Sequence, residues 1–262
     1  KSKKDFDYIL IEATGMANPA KIAEAFVGES QLASHFQLDS VVTVVDAFHF
    51  EINEKREDGD FKEQISFADK IILNKVDLCD FEKQQIVREK VISINNSSEI
   101  IEASHCDVDV SEVINGNYFD MKKVEELLSS RHHHHDHHNH VHHHEHEEDV
   151  SSVSIEVEGV VKPNLFENFL NYLMTFNPEA IYRSKGLLNF PGMSEKIIFQ
   201  GVYSTFDFDK GKMWEQGKRI NKLVFIGKKL TEQSIKKGFM NCLMSEEEHQ
   251  LFLQEIAKIK SE

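Results

Sequence analysis

Between positions 132 and 146 the chain is mostly histidine: His132, His133, His134, His135, His137, His138, His140, His142, His143, His144 and His146, with Glu147, Glu148 and Asp149 following at once. No apolar period survives there, so neither a helix nor a strand can bury a face through this tract. The sequence therefore specifies two bodies, residues 1–130 and 151–262, separated by a mobile histidine-rich linker over 131–150.

Upstream of the tract, short apolar runs alternate with helix-like stretches. The runs Phe6–Ile11, Val41–Val45 and Lys70–Leu73 are rich in β-branched residues and bounded by polar turns. Continuous apolar runs suit strands of a parallel sheet, buried on both faces. Asn18 and Pro19 open a helix reaching about Phe26, and Asp80 caps a second over 80–93. This alternation predicts an α/β domain whose ligands bind at the carboxyl ends of the strands.

Downstream, Val153–Val161 alternates as a half-buried strand and Asn164 caps a helix through Phe176. Three strand-like stretches follow, Ala180–Leu188, Lys196–Phe208 and Lys222–Ile226. Amphipathic helices Thr231–Leu243 and Ser245–Lys260 close the chain. The order predicts a separate, mainly antiparallel α+β domain.

Forty per cent apolar residues and 19 Phe among 262 residues give enough material for sizeable cores. The formal charge of −15 argues against a nucleic-acid binder held by a general basic field. No run approaches the ~20 apolar residues of a membrane helix. Three scattered cysteines, Cys79, Cys106 and Cys242, are no disulfide framework, which favours a reducing, cytoplasmic setting. Cys79 and Cys242 read as ordinary buried thiols. A first residue of Lys1, with strand-like sequence by Tyr8, reads as a piece of a longer protein.

Asn74-Lys75-Val76-Asp77 directly follows the run ending at Leu73. An N-K-x-D at a strand end suits guanine. The Asp77 carboxylate would accept from the ring N–H and the exocyclic amine together, whereas adenine would leave it unpaired. Asn74 would orient the loop and the Lys75 stem would lie over the base. A solvated turn is the competing reading. Ile9-Leu10-Ile11-Glu12, with Gly15 three residues on, offers a carboxylate for Mg²⁺ and a glycine for close approach to a terminal phosphate; a solvated acid and a turn glycine account for it equally. Asp46 reads as the cap of its turn and His49 as a surface side chain. His105-Cys106-Asp107 reads as a structural loop, since adjacent residues seldom chelate one ion. Neutral imidazoles of the tract are ligands for Zn²⁺, Ni²⁺ or Cu²⁺; a drifting low-complexity segment is the alternative. No G-x-x-x-x-G-K-[ST] occurs, for the Gly-Lys pairs at Gly211, Gly217 and Gly227 continue into Met213, Arg219 and Lys229.

Glu12-Ala13-Thr14-Gly15-Met16-Ala17-Asn18-Pro19, Val44-Val45-Asp46-Ala47 and Asn74-Lys75-Val76-Asp77-Leu78 together resemble the CobW-type GTPases. Ser184-Lys185-Gly186, Phe199–Val202 and Arg219–Gly227 are similar to landmarks of their C-terminal domain. The resemblance implies a P-loop-GTPase-like, mostly parallel sheet lacking its N-terminal part, followed by a smaller α+β domain. It implies guanine held by Asn74, Lys75 and Asp77, with Glu12 serving Mg²⁺ and the hydrolytic water and Gly15 in the switch. It further implies GTP, Mg²⁺ and Zn²⁺ as cofactors (with Ni²⁺ or Co²⁺ as alternatives), and a client metalloprotein as partner. The family's phosphate loop and C-x-C-C motif are missing from these residues, so slow or no GTP turnover is expected of the chain as it stands, and only the histidines remain as metal ligands. The alternative is a non-catalytic metal-binding or docking protein on the same scaffold.

Overall fold

In the computed structural model, residues 6–14, 18–28, 30–55, 60–130, 150–176 and 180–259 are described. Among them lie two sheets. The first is parallel, in the order β1 (Val42–Asp46), β2 (Lys70–Asn74), β3 (Glu99–Ala103). Its register aligns Asp46, Asn74 and Ala103 across the carboxyl rim. β2 is buried at every position, as its unbroken apolar run requires in the middle of a covered sheet.

Helices follow the strands. Pro19–Gly28 (α1) and Ser30–Ala33 (α2) precede β1, and Phe50–Glu54 (α3) and Asp60–Phe67 (α4) lie between β1 and β2. Phe81–Ile94 (α5) follows β2. Asp80 caps it as the sequence predicts, accepting from the Lys83 amide at 2.8 Å. Val87, Val91 and Ile94, one face of α5 at helical spacing, are buried against Ile71, Leu73, Ile65 and Phe67.

The expected strand Phe6–Ile11 is not one. The segment makes no ladder pairing; Phe6 and Leu10 are 70% and 79% exposed. The Tyr8 hydroxyl tethers it, donating to Asp39 at 2.6 Å. β-branched composition favours extended backbone, but a strand needs a partner ladder, and no described strand pairs with this segment. β3, which is not among the expected strands, does find a partner.

The second sheet is antiparallel, in the order β4 (Val150–Glu158), β8 (Ile220–Lys228), β5 (Ile181–Leu188), β6 (Glu195–Val202), β7 (Thr205–Met213). The expected strand Lys196–Phe208 is a hairpin, turned at Tyr203 (φ 48°). On one face Pro163–Phe176 (α7) and Glu232–Met240 (α8) bring Phe166, Phe169 and Phe239 against Phe199 and Phe225. On the other, Met121–Ser130 (α6) lays Val124 and Leu128 on Leu187, Ile198, Val224 and Ile226. Covered on both sides, β5 is buried along its whole length. Glu246–Ile259 (α9) ends the described chain, and no described helix is long and apolar enough to cross a membrane.

Gly227 sits where β8 passes the irregular start of β5. A Cβ there would lie 1.6 Å from the Ala180 carbonyl oxygen, which accepts from the Lys228 amide at 2.7 Å. Backbone cannot yield as a side-chain tip can. Gly227→Ala should therefore cost at least the ~1–3 kcal/mol typical of overpacking, read as a lower urea midpoint at unchanged slope.

The halves meet along a polar seam. Asp69, just before β2, is 2% exposed. Its carboxylate faces the Arg183 guanidinium at 2.9 Å and the Lys185 ammonium at 3.1 Å, both from β5, and accepts from the Val41 amide at 3.0 Å. Arg183 also donates to the Phe67 carbonyl and stacks over Phe119, 4.4 Å from its centroid. Val150, Tyr182 and Val202 join the core of the first half around this contact.

Candidate functional site

The rim of the parallel sheet is organised by Asn74. Its backbone carbonyl accepts from the Ala47 amide at 2.9 Å, and its buried side-chain oxygen accepts from the Cys106 amide at 2.9 Å. One residue thus ties together the loops that follow all three strands. The Cys106 loop reverses through two left-handed residues, His105 (φ 59°) and Cys106 (φ 54°), closing on an amide of Asp107 donated to the Ser104 carbonyl.

Lys75 is left-handed too (φ 64°, ψ 30°), which costs a non-glycine residue about 1–2 kcal/mol. The turn throws its side chain back across the rim, where the ammonium donates to Asp46 at 2.7 Å. Val76–Leu78 then forms one 3₁₀ turn. Gln84 of α5 clamps that turn, donating to the Val76 and Cys79 carbonyls at 2.9 and 3.0 Å. Asp77 projects from the outside of this fixed turn into solvent, and its carboxylate has no hydrogen-bond or ion-pair partner among the described residues. An anchored loop presenting a bare acceptor pair can receive two donors from a flat heterocycle without first breaking an internal bond.

Asp46 does more than cap its turn. It accepts from the His49 amide at 3.0 Å and ring Nδ1 at 2.9 Å as well as from Lys75. Burial alone pushes this carboxyl up; the hydrogen bonds from Lys75, then from the His49 side chain and amide, outweigh it and bring it down to about 2. A carboxyl depressed in this way contributes its stability above the ordinary carboxylate value and loses it as pH falls toward the folded one. A carboxyl-carbon NMR titration should place the Asp46 midpoint near 2, and Lys75→Ala should move it up toward the ordinary value near 4.

Among the predicted site residues, Asn74, Lys75 and Asp77 share one strand end and loop. Glu12 lies in the exposed segment before α1, joined to the rim by no hydrogen bond or ion pair among the described residues. Gly15 and the histidines from His132 to His146 lie outside the described residues. Among those described, no group of three or more His, Cys, Asp or Glu is arranged to hold a metal ion. Cys242 is buried as expected, whereas Cys79 is only partly so. Asp46 caps its turn as the sequence predicts; its bond to Lys75 was not foreseen, though its place at a strand end level with Asn74 was the signal for it.

Comparison with known proteins fits this geometry. Residues 1–102 match the CobW/HypB/UreG nucleotide-binding domain, and residues 150–243 the cobalamin synthesis protein CobW C-terminal domain. The chain is 27% identical over 239 residues to the zinc chaperone YjiA of Escherichia coli, covering 91% of this chain and 72% of that protein. It is 30% identical over 230 residues to a zinc-regulated GTPase metalloprotein activator of Schizosaccharomyces pombe, covering 79% and 56% respectively. The crystal structure of Zn(II)-bound YjiA GTPase from E. coli superposes with a TM-score of 0.74 at 26% identity, over 88% of this chain and 69% of that one. The chain thus spans between about half and three quarters of the length of these relatives. With a parallel sheet whose rim loops converge on Asn74 and a five-stranded antiparallel sheet docked behind it, the chain belongs to the CobW/HypB/UreG family, in the form that carries the CobW C-terminal domain.

Proposed function

We propose that this chain is the guanine-recognising and metal-carrying portion of a GTP-dependent metallochaperone that delivers a divalent ion, zinc in the first instance, to a client metalloprotein. The observation that carries the reading is Asp77: an exposed carboxylate without an internal partner, on a turn anchored at both ends. The names of the relatives, a zinc chaperone and a zinc-regulated GTPase metalloprotein activator, support the same class.

In this reading each residue has a task. Asp77 accepts from the ring N–H and the amine of guanine, rejecting adenine, which offers an acceptor there. Asn74 keeps the loops in register for that contact, and Lys75 covers one side of the base while Asp46 holds its ammonium. Glu12 faces the phosphate end, where Mg²⁺, when bound, supplies charge neutralisation. The cargo metal goes to imidazoles between His132 and His146, since the described residues provide no closed ligand set.

Calorimetric titration of the chain with GDP and with ADP, then with Zn²⁺, tests this. GDP is expected to bind at least about tenfold more tightly than ADP, and Zn²⁺ in more than one equivalent. Equal affinities for the two nucleotides would overturn guanine recognition; one or no equivalent of Zn²⁺ would overturn the histidine assignment.

A further inference from the structure

Asn18 stands directly before α1, at the end of the stretch that begins with Glu12. Its side-chain amide donates to Glu63 Oε1 on α4. The same oxygen accepts from the Tyr203 hydroxyl at 3.0 Å, and Lys228 Nζ lies 3.9 Å from Oε2. Tyr203 is the turn of the β6–β7 hairpin and Lys228 the end of β8, so both belong to the antiparallel sheet. Tyr203 is itself fixed: its amide donates to the Tyr182 carbonyl at 3.1 Å, and its ring meets Tyr182 edge-on at 5.8 Å. α1 packs against α4, β6 and β7 beside this node.

We propose that Glu63 is a positioning residue for Asn18 and the start of α1, through which the antiparallel sheet sets the place of that helix end.

The physical case is the sharing of one buried carboxylate. Glu63 is 8% exposed, and a buried charge is tolerated only while its acceptor sites are filled. One arm holds the segment that leads into α1, and the others come from the second sheet. The Tyr203 hydroxyl holds that carboxylate in place, so removing it lets Glu63 turn away from Asn18, and removing the charge of Glu63 weakens the bond to Asn18 directly. The carboxylate thus ties the residue before α1 to two residues of the second sheet, a contiguous contact through which the halves can be coupled. Its functional meaning rests on the guanine reading above, in which Glu12, shortly before Asn18 in the chain, serves the phosphate end.

Hydrogen–deuterium exchange on the full chain without nucleotide tests the link itself. Tyr203→Phe removes one hydroxyl and Glu63→Gln removes the charge while keeping the shape. Both should speed exchange of the α1 amides about tenfold and leave those of β2 unchanged. Ile155→Val, a conservative change in the core of the second sheet, should leave α1 as it is. Unchanged α1 exchange in both variants, or the same acceleration in Ile155→Val, would overturn the proposal. A nucleotide arm follows: Tyr203→Phe should alter the ratio of GTP to GDP affinity while GDP affinity itself holds, a split that mere loosening of the fold does not produce. If the parent chain binds no guanine nucleotide but the exchange differences stand, the link survives and the guanine reading falls.

Discussion

Asp69→Ala is expected to cost about 3–5 kcal/mol, the range for removing one partner of a buried ion pair. That is a large share of the roughly 5–15 kcal/mol that holds a domain folded. The substitution leaves Arg183 and Lys185, 4% and 6% exposed, facing an empty site, and it orphans the Val41 amide. Urea unfolding followed by circular dichroism would show it as a lower midpoint. The pH dependence follows from the same residue. Burial raises the Asp69 carboxyl, but Arg183 first and Lys185 next, with the hydrogen bonds from Arg183 and Val41, hold it below its ordinary value. A depressed carboxyl stabilises above its unfolded value, near 4, and loses that contribution as pH falls below it. The urea midpoint should thus hold from neutrality to about pH 5 and fall beneath, and Asp69→Asn should flatten that fall. Replacing all three charges with Leu and Met of matching volume should recover most of the loss, because a buried ion cluster contributes little over well-packed apolar groups.

Asp77→Ala should leave stability where it is and remove guanine preference. Two charge-assisted hydrogen bonds are at stake, at about 1.5–3 kcal/mol each. A loss on the order of a hundredfold or more in GDP affinity is expected, with ADP affinity little changed, measured by competition against a fluorescent guanine nucleotide. The number of Zn²⁺ equivalents bound should not change. Loss of both together would mean that nucleotide and metal do not occupy separate sites.

Local chemistry made much of this molecule legible in its sequence. The runs Val41–Val45 and Lys70–Leu73 became adjacent strands, and Asp80 capped α5 as its side chain requires. Asn74-Lys75-Val76-Asp77 came to lie at a strand end, where its spacing has meaning. What stayed hidden depends on partners far along the chain. Phe6–Ile11 has the composition of a strand but no ladder to join. Glu99–Ala103 carries charge at positions 99 and 102 and reads poorly as a strand, yet it pairs with β2 throughout. The hairpin at Tyr203 has no Gly, Pro or Asn at its tip to announce it. The meeting of Lys185 with Asp69, 116 residues apart, follows no local rule, and neither does the pull of Asp46 on Lys75. Short-range pattern predicts elements; the seam and the rim depend on which elements meet.

That seam has a consequence for how such chains can change over time. Asp69, Arg183 and Lys185 lock the halves through their own side chains, with the anion on one side of the contact and both cations on the other. Neither side can change alone, because losing one leaves the other buried without its counter-charge. Substitutions at these three positions are therefore expected to travel together, a descendant chain that drops the acid being one that has also given up its two bases.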